Sequence, residues 1–309
     1  MTLPPVPRGV FAAVLTPLTR DLEPDLKAFA AHARWLLAHG CDGLAPLGTT
    51  GEANSLSLGQ RMKIIETVAA ELPVEKCVIG SGACALADAV HLTREIVRAG
   101  AAGALILPPF YYKSPGEDGL YAFFSEVIER VGDARLRLYL YHFPQLSAVP
   151  IQLPLIERLK KSYGEVVAGL KDSGGDWSYS ATLLKALPGF GVFSGSEQYL
   201  LNNLRAGGVG TISASVNVTA PLAQPVNRAW RTPEAEALQK TLTAARVLFQ
   251  DYPLVAALKE TMALISGNAE WRNILPPNAP LSKDQRAEIE ARLKQLPAMR
   301  PVMESLRAA

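Results

Sequence analysis

One lysine of this 309-residue sequence stands where its amine could act as a nucleophile. Lys171 follows the apolar run at residues 166–170 (VVAGL), a pattern typical of a buried strand. Desolvation disfavours the ammonium form of a lysine, and the neutral amine attacks carbonyl carbons to form imines. A strand-end lysine can equally extend its amine into solvent or pair with a neighbouring carboxylate, here Asp172. Position alone leaves both interpretations open.

Two tyrosines precede this lysine in another β-rich run. Tyr139 and Tyr141 lie two residues apart in residues 136–143, so their side chains share one face of the predicted strand. A phenol at such a position can carry protons during imine formation and carbon–carbon bond chemistry. The alternative is that both are core aromatics whose hydroxyls bond to the backbone.

Two loops add further candidates. Residues 48–52 (GTTGE) place Thr49 and Thr50 between glycines, in a tight turn whose backbone N–H groups could hold a carboxylate. A plain β-turn would have the same composition. Residues 108–112 (PPFYY) concentrate prolines and aromatics in a loop, which is typical of a lid or an interface patch.

All these motifs follow β-rich segments that alternate with helical patterns along the chain. The predicted strands are residues 10–18, 43–47, 77–80, 104–107, 136–143, 166–171, 192–195 and 211–214. Eight β/α units in order predict an α/β protein with a (β/α)8 TIM barrel. A doubly wound sheet is the competing architecture, but no G-x-G-x-x-G turn follows the first strand. Active sites of such barrels lie at the C-terminal ends of the strands, where these motifs fall.

The strand pattern stops near Pro221, and the rest of the chain has helical patterns, including residues 252–265 and 283–296. We therefore expect a barrel over residues 1–220, with its last helix following. Residues 221–309 are expected to form a C-terminal helical extension packed on it.

Composition excludes several classes of protein. The formal net charge is +2, which is no electrostatic footprint for nucleic acid. No run of about 20 apolar residues indicates a membrane segment, and the start lacks a signal-peptide pattern. Three cysteines without C-x-x-C spacing favour a reducing, cytoplasmic location, and the four scattered histidines predict no metal site.

Taken together, the motifs resemble the dihydrodipicolinate synthase / N-acetylneuraminate lyase family of class I aldolases, and the resemblance spans nearly the whole chain. It is carried by residues 48–52 (GTTGE), 109–112 with 119–121, 141–144 (YHFP), 169–173 (GLKDS), 194–195, 210–217 (GTISASVN) and 273–281.

The resemblance implies that Lys171 forms a Schiff base with pyruvate or a related 2-oxo acid, with Tyr141 as the proton relay. Thr49 and Thr50 would bind the oxo-acid carboxylate, and Thr50 would also join the relay. Tyr112 matches a tyrosine that enters the relay of a neighbouring subunit, although Tyr111 makes that alignment ambiguous by one residue.

Ile212 matches the apolar residue that lines the pyruvate site. The resemblance further implies that no metal or other cofactor is needed, and that the protein is a homotetramer or homodimer.

Two positions depart from the family pattern. Dihydrodipicolinate synthases carry an arginine for the second substrate's carboxylate where this sequence has Leu146. We therefore expect poor use of aspartate semialdehyde and a second substrate that is neutral or apolar at this end. Neuraminate lyases have a serine where this chain has Ala214, although Glu197 matches one of their acidic sugar contacts.

The sequence thus predicts a Schiff-base lyase that joins a 2-oxo acid to an aldehyde, or cleaves the product. A dehydratase or hydratase-aldolase of the same family, or a non-catalytic ligand-binding relative, is the alternative.

Overall fold

The computed structural model describes residues 6–307, and its strands form one parallel, ring-shaped sheet. The strands are β1 (Gly9–Ala12), β2 (Gly43–Leu44), β3 (Val78–Gly80), β4 (Gly103–Ile106), β5 (Leu138–His142), β6 (Val167–Asp172), β7 (Gly191–Ser194) and β8 (Gly210–Ser213). Their spatial order is β2-β1-β8-β7-β6-β5-β4-β3, and a bridge between Leu44 and Cys77 joins the two ends. The predicted (β/α)8 barrel is confirmed.

Helices surround the strands. They are α1 (Leu26–Ala38), α2 (Leu58–Glu71), α3 (Leu86–Ala99), α4 (Glu117–Val131), α5 (Pro144–Ser147), α6 (Leu153–Tyr163), α7 (Trp177–Ala186), α8 (Leu200–Arg205) and α9 (Val216–Ala229). Local signals set several ends: Ser57 and Gln60 form a capping box at α2, and α3 ends at Gly100 with φ of +87°. The short α5 was not predicted, and β1 ends at Ala12 rather than at residue 18.

Aromatic side chains fill the barrel interior below the active-site end. The Tyr139 ring is fully buried there, beside Phe193 at 6.0 Å between ring centroids. Two glycines make room for this ring, since a Cβ at Gly103 would lie 2.6 Å from it and one at Gly169 would lie 2.7 Å from it. The interior is therefore a packed core on which the site rests.

The C-terminal part is helical, as predicted. It consists of α10 (Ala235–Val247), α11 (Leu254–Ser266), α12 (Lys283–Gln295) and α13 (Met299–Arg307). Helix α9 runs through residue 220, and Val218 and Val226 on either side belong to one hydrophobic cluster. The barrel and the C-terminal helices therefore share one hydrophobic core. The division of the chain at residue 220 stays a prediction. Within residues 6–307, no helix is long and apolar enough to cross a membrane.

Candidate active site

Strand register brings Lys171 and Tyr141 together at the C-terminal end of the barrel. Lys171 lies on β6 directly opposite Tyr141 on β5, and each residue is 3% exposed. The Lys171 amine donates to the Tyr141 hydroxyl at 3.3 Å and lies 4.3 Å from the centre of its ring. The predicted strand-end lysine therefore points inward, not to solvent, and is hydrogen-bonded to the predicted relay tyrosine.

The loop after β2 brings a second hydroxyl to the same point. The Thr49 hydroxyl lies 3.3 Å from the Tyr141 hydroxyl, whereas no hydrogen bond joins the Thr50 side chain to another described residue. The implied relay role of Thr50 therefore finds no support in this geometry, which favours Thr49. The side chains of successive loop residues diverge, and only the first of the pair turns towards Tyr141.

The backbone of this loop is arranged to bind an acceptor. The N–H groups of Gly51 and Glu52 donate to carbonyls of the same loop, and the Gly51 carbonyl accepts from the Thr16 hydroxyl at 2.8 Å. The N–H groups of Thr49 and Thr50 donate to no other group in the described part of the chain. Thr49 and Thr50 both line the cavity, and two amides without a partner in this loop are suited to holding a carboxylate.

An ion pair holds the far side of the loop. Glu52, in the left-handed region at φ of +55°, pairs with Lys259 of α11, and the two side chains are 0% and 1% exposed. Glu52 also accepts from the Leu275 N–H at 2.7 Å, and Lys259 donates to the Asn273 carbonyl at 2.7 Å. Burial lowers the pKa of Lys259, and the Glu52 carboxylate opposes that shift. The C-terminal helices therefore fix the loop that carries Thr49 and Thr50.

These groups open into one large cavity of about 740 Å³. Lys171, Tyr141, Thr49 and Thr50 all line it, together with an apolar wall formed by Phe143, Leu146, Trp177 and Tyr199. The C-terminal region closes another side through residues 253–256 and 277–280. The cavity exceeds the space that a three-carbon oxo acid needs, so it can hold a second substrate.

Other residues singled out from the sequence lie elsewhere. Tyr112 is 78% exposed beside Tyr111 and is not among the residues that line the cavity. Ile212 is fully buried in the barrel interior, in the same cluster as Tyr141 but below the cavity. Leu146 is 61% exposed on the cavity rim, and Ala214 lines the wall.

Glu197 is the clearest difference from expectation. Its side chain is 0% exposed and lies outside the cavity lining, so it does not make the sugar contact that the resemblance suggested. One carboxylate oxygen accepts from the Thr219 hydroxyl at 2.9 Å and the other from the Ser213 hydroxyl. These two hydroxyls turn the carboxylate into the protein interior.

Two polar residues near the lysine pack instead of binding. The His142 ring stacks on Tyr179 at 4.1 Å and accepts from the Ile151 N–H, and burial lowers its pKa to about 4. Tyr139 sits in the core, where its hydroxyl has no hydrogen-bond partner among the described residues and burial raises its pKa. Among residues 6–307, no group of acidic, histidine or cysteine side chains could hold a metal ion.

The structure adds a cation that sequence analysis missed. Arg246 of α10 lines the cavity, with its Nε 3.9 Å from the buried Glu197 carboxylate. It lies on an ordinary-looking amphipathic helix beyond the barrel, and no local pattern sets it apart from other surface arginines. Arg246 thus gives the cavity a cation that Leu146 does not supply, and the Lys113 amine donates to the Ser147 carbonyl of the Leu146 loop at 3.3 Å.

Comparisons with known proteins agree with the barrel fold. The dihydrodipicolinate synthetase family matches residues 6–296. An uncharacterized DapA-like lyase from Chloroflexus aurantiacus is 34% identical over 94% of this chain and 98% of its own. The crystal structure of dihydrodipicolinate synthase from Agrobacterium tumefaciens C58 superposes with a TM-score of 0.86 at 30% identity, covering 93% of this chain and 99% of that one.

A further solved relative contains a ligand. It is YagE, a prophage protein of the dihydrodipicolinic acid synthase family from Escherichia coli K12, in complex with pyruvate. It has a TM-score of 0.84 at 29% identity and covers 94% of this chain and 98% of its own. With the family match extending over nearly the whole sequence, this chain belongs to the dihydrodipicolinate synthetase family.

Proposed function

We propose that Lys171 forms an imine with pyruvate or a related 2-oxo acid, and that Tyr141 and Thr49 carry the protons. Family membership confirms the predicted type of enzyme, a lyase with class I aldolase chemistry. The observation that supports the residue assignment is the chain of 3.3 Å contacts from the Lys171 amine through the Tyr141 hydroxyl to the Thr49 hydroxyl. The pyruvate complex of YagE supports the choice of substrate.

The chemistry follows from this arrangement. The Lys171 amine attacks the keto carbon, and the keto oxygen leaves as water once it has been protonated. The resulting iminium withdraws electrons from C3, which loses a proton and becomes an enamine. C3 then bonds to the aldehyde carbon, whose oxygen takes up a proton. Water finally hydrolyses the new imine and releases the amine, and the reverse sequence cleaves the product.

The protons in these steps need a group that both accepts and donates. The Tyr141 hydroxyl touches the amine on one side and the Thr49 hydroxyl on the other, so it can pass a proton between them. The free N–H groups of Thr49 and Thr50 would hold the substrate carboxylate, which orients the keto carbon towards Lys171.

Reductive trapping tests the imine. Pyruvate and borohydride should add one reduced pyruvate group to the chain, located at Lys171 by peptide mass analysis. Lys171→Arg should abolish trapping, whereas Lys76→Arg, before β3 at the opposite end of the barrel, should not. Trapping on another lysine, or none with any 2-oxo acid tried, would remove the proposal.

A dehydratase of the same family and a non-catalytic relative are the alternatives. A dehydratase would also form an imine with pyruvate-like acids that borohydride traps. From a hydroxylated 2-oxo acid, however, it would release water and no aldehyde. A binding relative would trap the acid without turnover. The assembled amine, phenol and threonine favour catalysis over binding alone.

We further propose that two or four copies associate through the loop after β4, in the cytoplasm. Tyr111 and Tyr112 expose 74% and 78% of their surfaces there, an unusual position for two aromatic rings in edge-to-face contact. In a homo-oligomer Tyr112 would reach the relay of the partner subunit. Light scattering measures the mass, and Tyr112→Phe should slow turnover while pyruvate trapping persists.

Cys41, Cys77 and Cys84 are unpaired, in keeping with a reducing compartment such as the cytoplasm.

A further inference from the structure

The aromatic side chains of the apolar wall come from three consecutive strand-end loops. Phe143 follows β5, Trp177 begins α7 after β6, and Tyr199 follows β7. Lys171 lies on the middle strand of these three, β6. Strand β2, whose loop forms the candidate carboxylate site, lies four strands from β6 in both directions around the ring. The apolar wall and the carboxylate site therefore lie on opposite sides of the barrel mouth.

Stacked contacts hold the rings of this wall in place. The Trp177 and Tyr199 rings lie 6.1 Å apart between centroids at an angle of 25°, and the Tyr199 hydroxyl donates to the Gly175 carbonyl at 3.0 Å. Phe143 stacks in the same way on Tyr141, at 5.8 Å and 30°. Each of Phe143, Trp177 and Tyr199 is half-buried and lines the cavity, so part of its surface is accessible to a ligand. Fixed rings of this kind bind another planar ring by stacking.

The charges beside the wall favour a neutral ligand. Asp176, which also lines the cavity, directly precedes Trp177 and caps α7. Hydrogen bonds from the Ser178 hydroxyl and N–H lower the pKa of Asp176, so its carboxylate is ionised at neutral pH. Arg246 offers little compensation, because its Nε and Nη1 are buried. A negative charge next to an aromatic surface selects against an anionic ring and leaves an uncharged one unaffected.

We propose that Trp177 and Tyr199 bind an uncharged aromatic ring of the second substrate, which makes the natural partner of the 2-oxo acid an aromatic aldehyde. This rests on the proposed aldol function and names the class of its second substrate. C3 of the pyruvate enamine bonds to the aldehyde carbon, and the aldehyde oxygen takes up a proton, so that hydrolysis of the imine releases a 4-aryl-4-hydroxy-2-oxo acid. The reverse sequence cleaves that acid, and the cavity of about 740 Å³ can hold both parts of it.

The test measures kcat/KM for three aldehydes in condensation with pyruvate. Benzaldehyde is the reference, cyclohexanecarbaldehyde has a ring of the same size without a π-face, and 4-carboxybenzaldehyde adds a negative charge to the aromatic ring. Because aldehydes differ in intrinsic reactivity, each variant is compared with the parent for each aldehyde separately.

Trp177→Leu keeps an apolar surface but removes the π-face of the ring. It should lower kcat/KM for benzaldehyde by about fivefold to tenfold, the scale of one lost stacking contact, and that for cyclohexanecarbaldehyde by no more than about twofold. Trp177→Phe should restore most of the difference. Tyr199→Leu, which removes the other ring of the stacked pair, should have the same selective effect.

Asp176→Asn keeps a capping side chain for α7 but removes the charge. It should raise kcat/KM for 4-carboxybenzaldehyde by about threefold or more relative to that for benzaldehyde, the scale of one repulsion between charges near the surface. An unchanged ratio would overturn the selection against an anionic ring.

Trp230→Leu is the matched control, because Trp230 is also half-buried but lies at the end of α9 outside the cavity lining. It should change none of these ratios. Equal loss of benzaldehyde and cyclohexanecarbaldehyde in both Trp177→Leu and Tyr199→Leu would assign the two rings a structural role only and overturn the proposal. A parent enzyme that condenses pyruvate with glyceraldehyde but not with benzaldehyde would overturn the choice of an aromatic aldehyde. Failure of pyruvate trapping on Lys171 in the parent would instead reject the aldol function, so the two failures are distinguishable.

Discussion

Glu52 and Lys259 form an ion pair that is almost wholly buried, and it joins the loop of Thr49 and Thr50 to helix α11. A charge left alone at such a site costs about 3–5 kcal/mol, more than the pair itself contributes over neutral residues. This contact connects the C-terminal helices to the candidate carboxylate site.

Lys259→Met should therefore lower the free energy of unfolding by about 3–5 kcal/mol, because it leaves the Glu52 carboxylate buried and unpaired. It should also raise KM for pyruvate, since the loop loses its anchor. Adding Glu52→Gln should recover much of the stability. Urea unfolding measures these effects. Lys294→Met breaks an exposed pair with Glu290 and should change stability by no more than about 0.5 kcal/mol. A Lys259→Met protein that unfolds at the same urea concentration as the parent would contradict this account.

Tyr141→Phe should slow turnover by about 100-fold or more while pyruvate trapping on Lys171 is retained, because it removes the hydroxyl between the amine and Thr49. Tyr139→Phe is the matched control, two residues earlier on the same strand. Its hydroxyl is buried without a partner, so its removal should leave activity unchanged and stability equal or higher. Steady-state kinetics of both variants decide the point, and equal effects would make Tyr141 a packing residue.

Leu146→Arg should raise kcat/KM for aspartate semialdehyde by about tenfold, since an arginine there adds a charge-assisted bond to the substrate carboxylate. Leu146 is 61% exposed, so the new side chain needs no burial. The parent should use this aldehyde poorly, below about 10⁴ M⁻¹s⁻¹.

A coupled assay with the parent, Leu146→Arg and Leu58→Arg measures the effect. Leu58 is also exposed, but it begins α2 outside the cavity lining. Efficient use of aspartate semialdehyde by the parent would show that the loop after β5 does not set this specificity.

Acid should destabilise the protein through His32. Burial lowers its pKa from 6.5 to about 4, against the opposing hydrogen bond to Asn217. Between these two values the unfolded chain binds a proton that the folded chain does not. The neutral His32 ring therefore makes its full contribution to the free energy of unfolding above about pH 6.5. That contribution, about 3 kcal/mol, is lost as the pH falls to about 4.

His32→Gln keeps a donor for Asn217 but cannot take up a proton, so its free energy of unfolding should fall less steeply over this range. Urea unfolding at several pH values gives the difference in free energy of unfolding between the parent and His32→Gln. The effects of carboxylates cancel in this difference, because both proteins contain them. Parallel curves for the two proteins would show that His32 does not contribute.

Local spacing in the sequence determined the barrel and the central pair of the site. The twofold period of a strand places Tyr139 and Tyr141 on one face, and the apolar run before Lys171 marks a buried strand whose end faces the mouth. The strand–helix alternation then sets the order of the units around the ring. These features depend on neighbours in the chain, which is why they could be predicted.

The tertiary structure alone decided the rest. It turned Thr49 rather than Thr50 towards Tyr141, buried Glu197, and brought Lys259 and Arg246 from the C-terminal helices to the barrel mouth. The pattern of α10 does not distinguish Arg246 from surface residues. Lys259 lies in the largely apolar helix α11, but no local pattern identifies its partner Glu52. Their roles arise because those helices pack over the ends of distant strands, and contacts between residues far apart in the chain carry no local periodicity.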